Sequence, residues 1–334
     1  MNRELYQEYL SETSKLVSDR LETISNTYKD IDKELHQSFN IVFSGRVGKK
    51  LLKPTLFRLV YEMYGGKNFI DIIDIAVIFE LINISSYQSN ASFDHKMGAY
   101  TKAEKDSQFI ASFLTRELAN SLVYNLDISD DLKFKILQEI SKINKNIYLA
   151  QHYDLNMMTI DNYETYSNDI EKYYIDYNER CRLGSGYFSG ATAKVAALLA
   201  GANEKDAKYI FKITEKYGTL LHMINDIGDY TPKEKYPNRI YQDDLSDFKN
   251  GRLTLPLFLL LTKTNTKISN YKEEEIISEI QIFLSDSKNY ITSQYSSLKK
   301  ELNGISSTDA GNMYKLLLTT LKSNKYFYRI NNGK

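Results

Sequence analysis

The sequence has very few of the residues that cross-link or interrupt a chain. Its 334 residues include one cysteine, Cys181, four prolines and no tryptophan. A single cysteine excludes an internal disulfide and a cysteine-cluster metal site, and it fits a reducing compartment such as the cytoplasm. No proline lies between Pro54 and Pro232. Because proline removes an amide donor and clashes inside a helix, this long stretch is predicted to be helical.

An excess of charge of either sign is also absent, since Lys plus Arg and Asp plus Glu both number 43. No overall electrostatic field is therefore available to recruit nucleic acid or an anionic membrane. The sequence begins without the apolar stretch of a signal peptide, and no window approaches 18 uninterrupted apolar residues. We therefore expect a soluble, cytoplasmic protein with no membrane span and no nucleic-acid partner.

The sequence does contain apolar residues at the helical period. In 72–82 and 136–143 they recur every three or four positions, and no segment alternates as a strand would. No low-complexity linker divides the chain, so we expect one all-α domain over residues 1–334. Breaks between helices are predicted at 65–68, at 125–129, around 201–203, and in a long functional loop at 230–247.

Two separated segments carry carboxylate or amide side chains spaced for one helical face. The first is 80–94 (ELINISSYQSNASFD), with Asn90 and Asp94, and the second is 217–230 (YGTLLHMINDIGDY), with Asn225, Asp226 and Asp229. A spacing of four residues puts the end members of each set on the same side of a helix. Oxygen atoms are the ligands that Mg²⁺ prefers, and carboxylates also offset its charge.

Basic and amide side chains surround these two segments. They lie in 48–54 (GKKLLKP) with Lys50 and Lys53, 151–155 (QHYDL) with Gln151, 180–188 (RCRLGSGYF) with Arg182, and 247–256 (DFKNGRLTLP) with Arg252. Arginine can bind phosphate oxygens through parallel hydrogen bonds, so these positions suit a diphosphate. Gln151 and Asp154 form a polar pair on an otherwise apolar helix, which is costly without partners. Either a lined cavity or a structural network would explain that pair.

In this order, the segments resemble the motifs of the trans-isoprenyl (polyprenyl) diphosphate synthases, and the resemblance is strongest over 45–256. It implies an all-α, isoprenoid synthase-type helical bundle around a central cavity. The second acidic segment also partly resembles a metal motif of class I terpene synthases. The resemblance implies Mg²⁺ ligands at Asn90, Asp94, Asn225, Asp226 and Asp229, with Asp94, Asp226 and Asp229 as catalytic residues. It implies that the substrate diphosphate is bound by Arg182, Arg252, Lys50, Lys53 and Gln151.

The sequence departs from the family pattern in its acidic motifs, because Asn90, Ala91 and Asn225 stand where carboxylates are expected. One prediction is a Mg²⁺-dependent enzyme acting on allylic isoprenyl diphosphates, either a divergent prenyltransferase or a terpene-synthase-like protein. The alternative is a catalytically silent or regulatory subunit that pairs with an active isoprenyl diphosphate synthase. Family members form dimers, so the resemblance implies a homodimer or a heterodimer with a homologous synthase.

The size of the substrate follows from residues just before the first acidic motif. Ser85 and Ser86 align where short-chain synthases carry bulky aromatic side chains that close the pocket. Small side chains there would leave a deeper apolar tunnel, although Tyr87 could refill it. We therefore expect allylic diphosphates of about C15 to C20 size, held in an apolar cavity with a polar mouth.

Overall fold

The computed structural model describes residues 3–29, 33, 36, 51–93, 102–230, 245–264 and 273–319. Over these ranges the chain is helical and contains no β-strand, so the predicted all-α class is confirmed. None of the helices found there is long and apolar enough to cross a bilayer. The α-helices are α1 Arg3–Tyr28, α2 Leu52–Met63, α3 Ile73–Phe93, α4 Lys102–Tyr124, α5 Asp130–His152, α6 Tyr163–Asn168, α7 Ile170–Cys181, α8 Tyr187–Leu199, α9 Glu204–Asp229, α10 Ser246–Lys249, α11 Leu255–Thr264, α12 Glu273–Glu301 and α13 Asp309–Thr319.

Three of the four predicted breaks are confirmed as turns between helices. The break at 65–68 lies between α2 and α3, the break at 125–129 between α4 and α5, and the break at 201–203 between α8 and α9. Two of the helices that follow begin with a side-chain cap. Ser129 accepts from the amide of Leu132 at 3.4 Å, and Asn203 accepts from the amide of Asp206 at 2.9 Å. In the fourth break, residues 231–244 lie outside the described ranges.

Helix α3 runs through the middle of the packing. Every residue from 75 to 85 is buried, which is typical of a helix that is surrounded by other helices and has no solvent face. It packs mainly on α4 and also on α2, while α9 packs mainly on α8 and also on α12. Buried apolar side chains from α1 to α13 join in one core cluster.

Helices α8 and α9 approach each other closely because glycines line their contact. A methyl group added at Gly190 would lie 2.9 Å from the backbone oxygen of Phe211, and one added at Gly218 would lie 2.6 Å from that of Ser185. Neither of these backbone oxygens can move away from the added methyl group unless a helix shifts. The glycines in 184–190 therefore have the packing role that the sequence predicts.

Two π-helical turns interrupt the α-helical register near the polar residues identified above. Helix α5 continues into a π turn at Tyr153–Met157, and α7 continues into another at Arg182–Gly186. A π turn inserts an extra residue and rotates the side chains that follow, and such turns are frequent at functional sites. The helical periodicity of the sequence predicted neither turn. They lie beside Asp154 and Arg180, whose contacts define the candidate site.

Candidate functional site

A buried arginine lies between two aspartates from distant parts of the chain. Arg180, near the end of α7, donates from Nε to Oδ1 of Asp154 in the first π turn. Its Nη1 donates to Oδ2 of Asp226 on α9 at 2.8 Å, and its Nη2 lies 3.4 Å from Oδ1. The hydroxyl of Tyr177 donates to the same Oδ2 at 3.0 Å. All four residues are buried. We call Asp154, Tyr177, Arg180 and Asp226 the Arg180 cluster.

Neighbouring charges keep Asp154 and Arg180 ionised in spite of their burial. Burial alone would raise the pKa of Asp154, but Arg180, Arg252 and His222 outweigh it and hold that pKa below its usual value. Burial likewise opposes the charge of Arg180, yet Asp154 and Asp226 raise its pKa well above the usual value. Removing either charge would leave the other buried without its partner, which is strongly destabilising.

Asp229, one turn after Asp226, holds the start of α10. Its Oδ1 accepts from the hydroxyl of Ser246 at 2.6 Å, and its Oδ2 accepts from the amide of Asp247 at 2.7 Å. Its backbone oxygen accepts from the amide of Leu245 at 3.3 Å. Leu245 is in the left-handed region, with φ of 60°, a conformation that a branched residue adopts only when neighbouring contacts hold it. Asp229 therefore anchors this bend.

The same bend positions Arg252. Its Nη1 lies 3.2 Å from Oδ1 of Asp247, and its backbone amide donates to the carbonyl of Asp247 at 2.8 Å. A short antiparallel bridge joins Arg252 to Thr159, so the chain around Arg252 also pairs with the segment after the first π turn. Arg252 is buried, and it is close enough to Asp154 to lower the pKa of that carboxyl group.

Gln151 lies one turn before Asp154 on α5 and is 8% exposed. Among the residues that the structure describes, its Nε2 finds no hydrogen-bond partner. Leaving a buried amide donor unpaired costs about 1–3 kcal/mol, so such a group calls for an explanation. An acceptor atom from a ligand would satisfy it.

A comparison with known families identifies the chain. The sequence profile of the family described as polyprenyl synthetase matches residues 95–282, which is more than half of the chain. The chain belongs to the polyprenyl synthetase family. The resemblance to trans-isoprenyl diphosphate synthases is thereby confirmed. No curated protein matches the sequence.

Solved structures of polyprenyl synthases have the same fold. The heptaprenyl diphosphate synthase from Staphylococcus aureus matches with a TM-score of 0.75 at 15% identity, over 97% of this chain and 99% of that one. The geranylgeranyl pyrophosphate synthetase from Pyrococcus horikoshii gives 0.73 at 18%, over 95% and 98%. A polyprenyl synthase from Caulobacter crescentus, complexed with calcium and isoprenyl diphosphate, gives 0.71 at 14%, over 96% of both chains. At these identities the likeness establishes the fold.

The carboxylates of α9 do not fit the Mg²⁺ site that the family implies. Magnesium prefers near-octahedral oxygen ligands at about 2.0–2.1 Å. Oδ2 of Asp226 accepts from both Tyr177 and Arg180, and both oxygens of Asp229 accept from the bend at 245–247. Within the described part of the chain, no three His, Cys, Asp or Glu side chains are grouped to hold a metal ion. The metal and catalytic roles of Asp226 and Asp229 stay predictions, and their contacts argue for structural use.

Of the other predicted metal ligands, Asn90 and Asn225 lie in the described part of the chain. Asn225 precedes Asp226 on α9, but its side chain is exposed while Asp226 and Asp229 point inward. Asn90 is half-buried near the end of α3. Asp94 lies outside the described residues, as does the segment 94–101 that contains it. A cavity between the ends of α3 and α9 therefore stays a prediction.

The predicted diphosphate ligands are divided among three places. Gln151 lies one turn before Asp154 in the chain, and Arg252 is close enough to Asp154 to lower its pKa. Arg182 instead pairs with Glu179 and Glu215, which together raise its pKa, and its side chain is 38% exposed. Lys53 places its Nζ 4.2 Å from the centre of the Phe188 ring, a cation–π contact. Lys50 lies outside the described residues.

Sequence reasoning missed Arg180 and Tyr177, and it treated Asp154 only as half of a polar pair. Arg180 was visible in the same short segment as Arg182, two residues away. Nothing local distinguished the two arginines, since both lie beside the second π turn. Arg180 contacts two aspartates, and Arg182 does not, because of where α9 and the first π turn lie in the folded protein.

Proposed function

We propose that the chain is an enzyme that binds an allylic isoprenyl diphosphate and ionises it. The observation that carries this proposal is the buried amide of Gln151, which has no partner among the described residues. The terminal oxygens of a diphosphate are strong acceptors that would pair with this donor. Family membership makes an isoprenyl diphosphate the natural source of those oxygens.

Arg252 is the cation best placed to join Gln151. It is held by Asp247 and is close enough to Asp154, which lies one turn after Gln151, to lower the pKa of that carboxyl group. A guanidinium that is already oriented loses little further freedom when it binds phosphate oxygens. Lys50, Lys53 and Arg182 are the other proposed ligands of the diphosphate.

The substrate that we propose is farnesyl or geranylgeranyl diphosphate, of C15 or C20 size. Ser85 is buried and donates its hydroxyl to the carbonyl of Ser112 at 2.9 Å, so no bulky group stands at this position. Tyr87 is 49% exposed, which argues against its refilling the space. Both observations support a long apolar tail.

Ionisation breaks the bond between the allylic carbon and the diphosphate oxygen, and the electron pair leaves with that oxygen. Gln151 and Arg252 would bind the leaving diphosphate and stabilise the charge that develops on it. Mg²⁺ is the proposed cofactor, and if it were held by the diphosphate and by residues outside α9 it would supply positive charge to the leaving group. The Caulobacter crescentus relative, complexed with calcium and isoprenyl diphosphate, supports a divalent ion that accompanies the substrate.

Calorimetry and a diphosphate-release assay test this proposal together. We expect Mg²⁺-dependent binding of farnesyl or geranylgeranyl diphosphate, followed by release of diphosphate. Gln151→Leu keeps the side-chain size and removes the donor, so it should weaken binding at least tenfold and leave the melting temperature equal or higher. Absence of binding and release for both substrates would reject the enzyme proposal.

A catalytically silent or regulatory subunit is the second candidate. Large apolar side chains are exposed along neighbouring helices, with Ile110, Phe113 and Leu114 on α4 and Tyr148 and Leu149 on α5. The guanidinium of Arg116 lies 5.1 Å from the ring centre of Phe113 and 5.0 Å from that of Tyr148, so it joins the exposed side chains of the two helices. We call these five apolar residues the α4–α5 face. An apolar surface of this kind suits a second copy of the chain or a homologous synthase.

Product analysis distinguishes the two candidates. An enzyme releases diphosphate on its own, and this release should require Gln151. A silent subunit releases none, but it should change the chain length or amount of product when mixed with an active synthase from the same source.

We place either form in the cytoplasm, because its single cysteine is buried and unpaired.

A further inference from the structure

We infer that the guanidinium of Arg180 stands in for a metal ion at α9, so that this helix binds no divalent cation in this chain. The inference depends on the proposed function only for the location of the diphosphate site beside α9. Asp154 and Asp226 come from different helices and present carboxylates to one buried centre, which is the arrangement that usually holds a cation. Here the cation is a side chain of the protein itself, bound to both carboxylates.

Hydrogen bonding at Asp226 is concentrated on Oδ2, the oxygen that a metal ion would share with Arg180. Arg180 engages both of its oxygens, and Tyr177 adds a third hydrogen bond to Oδ2. A metal ion about 2.1 Å from Oδ2 would have to displace the guanidinium. The displaced guanidinium is itself buried and would lose its partner. Arg180 and a metal ion therefore compete for the same carboxylate, and Arg180 is covalently fixed there.

Asn225 and Asp229, the other two predicted metal ligands on α9, do not replace Asp226. Both carboxylate oxygens of Asp229 hold the bend that positions Arg252, so their use by a metal would release that bend. Asn225 is exposed and offers one neutral amide oxygen. A single neutral ligand without a neighbouring carboxylate neither offsets the charge of Mg²⁺ nor completes its coordination. Divalent ions in the proposed site must then be held by the diphosphate and by residues outside α9.

Binding of Mn²⁺, measured by electron paramagnetic resonance with inorganic diphosphate present, tests this inference without any turnover. We expect Asn225→Ala to bind the same number of Mn²⁺ ions as the wild type, with affinity within twofold. Asn225→Asp, which restores an exposed carboxylate, should add a site or tighten binding about tenfold. Both substitutions are on the surface, so neither should prevent folding.

Asp226→Asn supplies the second arm, with thermal unfolding as its control. We expect it to lower the melting temperature while Mn²⁺ affinity stays within twofold. A tenfold or larger loss of Mn²⁺ affinity in Asn225→Ala or in folded Asp226→Asn would overturn the inference. Asn225→Asp is the positive control, because a gain there shows that the measurement detects a carboxylate ligand on α9. Failure of the enzyme proposal is a separate outcome, because it appears as absent binding of an allylic diphosphate.

Discussion

The guanidinium of Arg180 donates to both carboxylate oxygens of Asp226, although the two residues are 46 positions apart in the sequence. This contact joins α7 to α9 across the most polar part of the interior. Because both side chains are buried, replacing either of them should change the stability of the fold as well as the candidate site. Several measurable consequences follow from that link.

Replacing Arg180 should destabilise the protein far more than replacing Arg182. Arg180→Met leaves Asp154 and Asp226 buried without their cation, which should cost about 3–5 kcal/mol of unfolding free energy. Arg182→Met breaks two half-exposed ion pairs and should cost about 0–1 kcal/mol. Urea denaturation of the two variants measures the difference. Equal losses would contradict the assignment of Arg180 as the central counter-ion.

The depressed pKa of Asp154 predicts how stability changes with pH. In the unfolded chain this carboxyl group titrates near its ordinary value of about 3.9, and in the folded protein it titrates lower. The unfolded state therefore binds more protons in acid, so the stabilisation is complete above about pH 4 and is lost as the pH falls through the folded pKa. Asp154→Asn should flatten the decline in unfolding free energy below about pH 4. An unchanged slope would argue against this contribution.

The close contact of α9 with the second π turn predicts a cost for Gly218→Ala. The added methyl group would lie 2.6 Å from the backbone oxygen of Ser185, so helix α9 must shift. We expect a loss of about 1–3 kcal/mol in unfolding free energy, as is usual for overpacking. Gly304→Ala is the matched control, because the atoms nearest to its methyl group all belong to the side chain of Tyr209, which can move. Thermal unfolding of both variants compares them, and the control should lose less.

The α4–α5 face predicts an oligomer that one charge disrupts. Phe113→Glu places a carboxylate in the centre of this face and should convert a dimer into monomers, as measured by light scattering after size exclusion. Ile282→Glu is the control, since Ile282 is equally apolar and 69% exposed but lies on α12. An oligomeric state that is the same in wild type and both variants would exclude this face as the contact.

Much of the fold was predictable because its signals are local. The predicted turns at 65–68, 125–129 and 201–203 were marked by glycine, asparagine and capping residues, which act on the backbone next to them. Glycines in 184–190 were predictable as packing residues for the same reason. In the candidate site, Gln151 and Arg252 were identified from motif positions. The structure buries both, and it brings Arg252 close enough to Asp154 to lower the pKa of that carboxyl group.

Other parts of the site were not predictable, and the α9 motif illustrates why. Spacing predicted that Asn225 and Asp229 point the same way, and the family resemblance assigned them, with Asp226, as metal ligands. In the structure Asn225 is exposed, while Asp226 and Asp229 turn inward to different partners, Arg180 and the bend at 245–247. Spacing determines which residues share a helical face, but it does not determine which other residues form hydrogen bonds with them.

By itself, the amino-acid sequence determined the all-α class, three of the turns between helices and the family, because periodicity, capping and motif order are properties of neighbouring residues. Tertiary structure alone decided that Arg180 and not Arg182 meets Asp154 and Asp226. Two π turns shift the helical phase beside these residues, and the partner comes from a helix tens of residues away. A contact of that kind depends on how the helices pack, which no short stretch of sequence encodes.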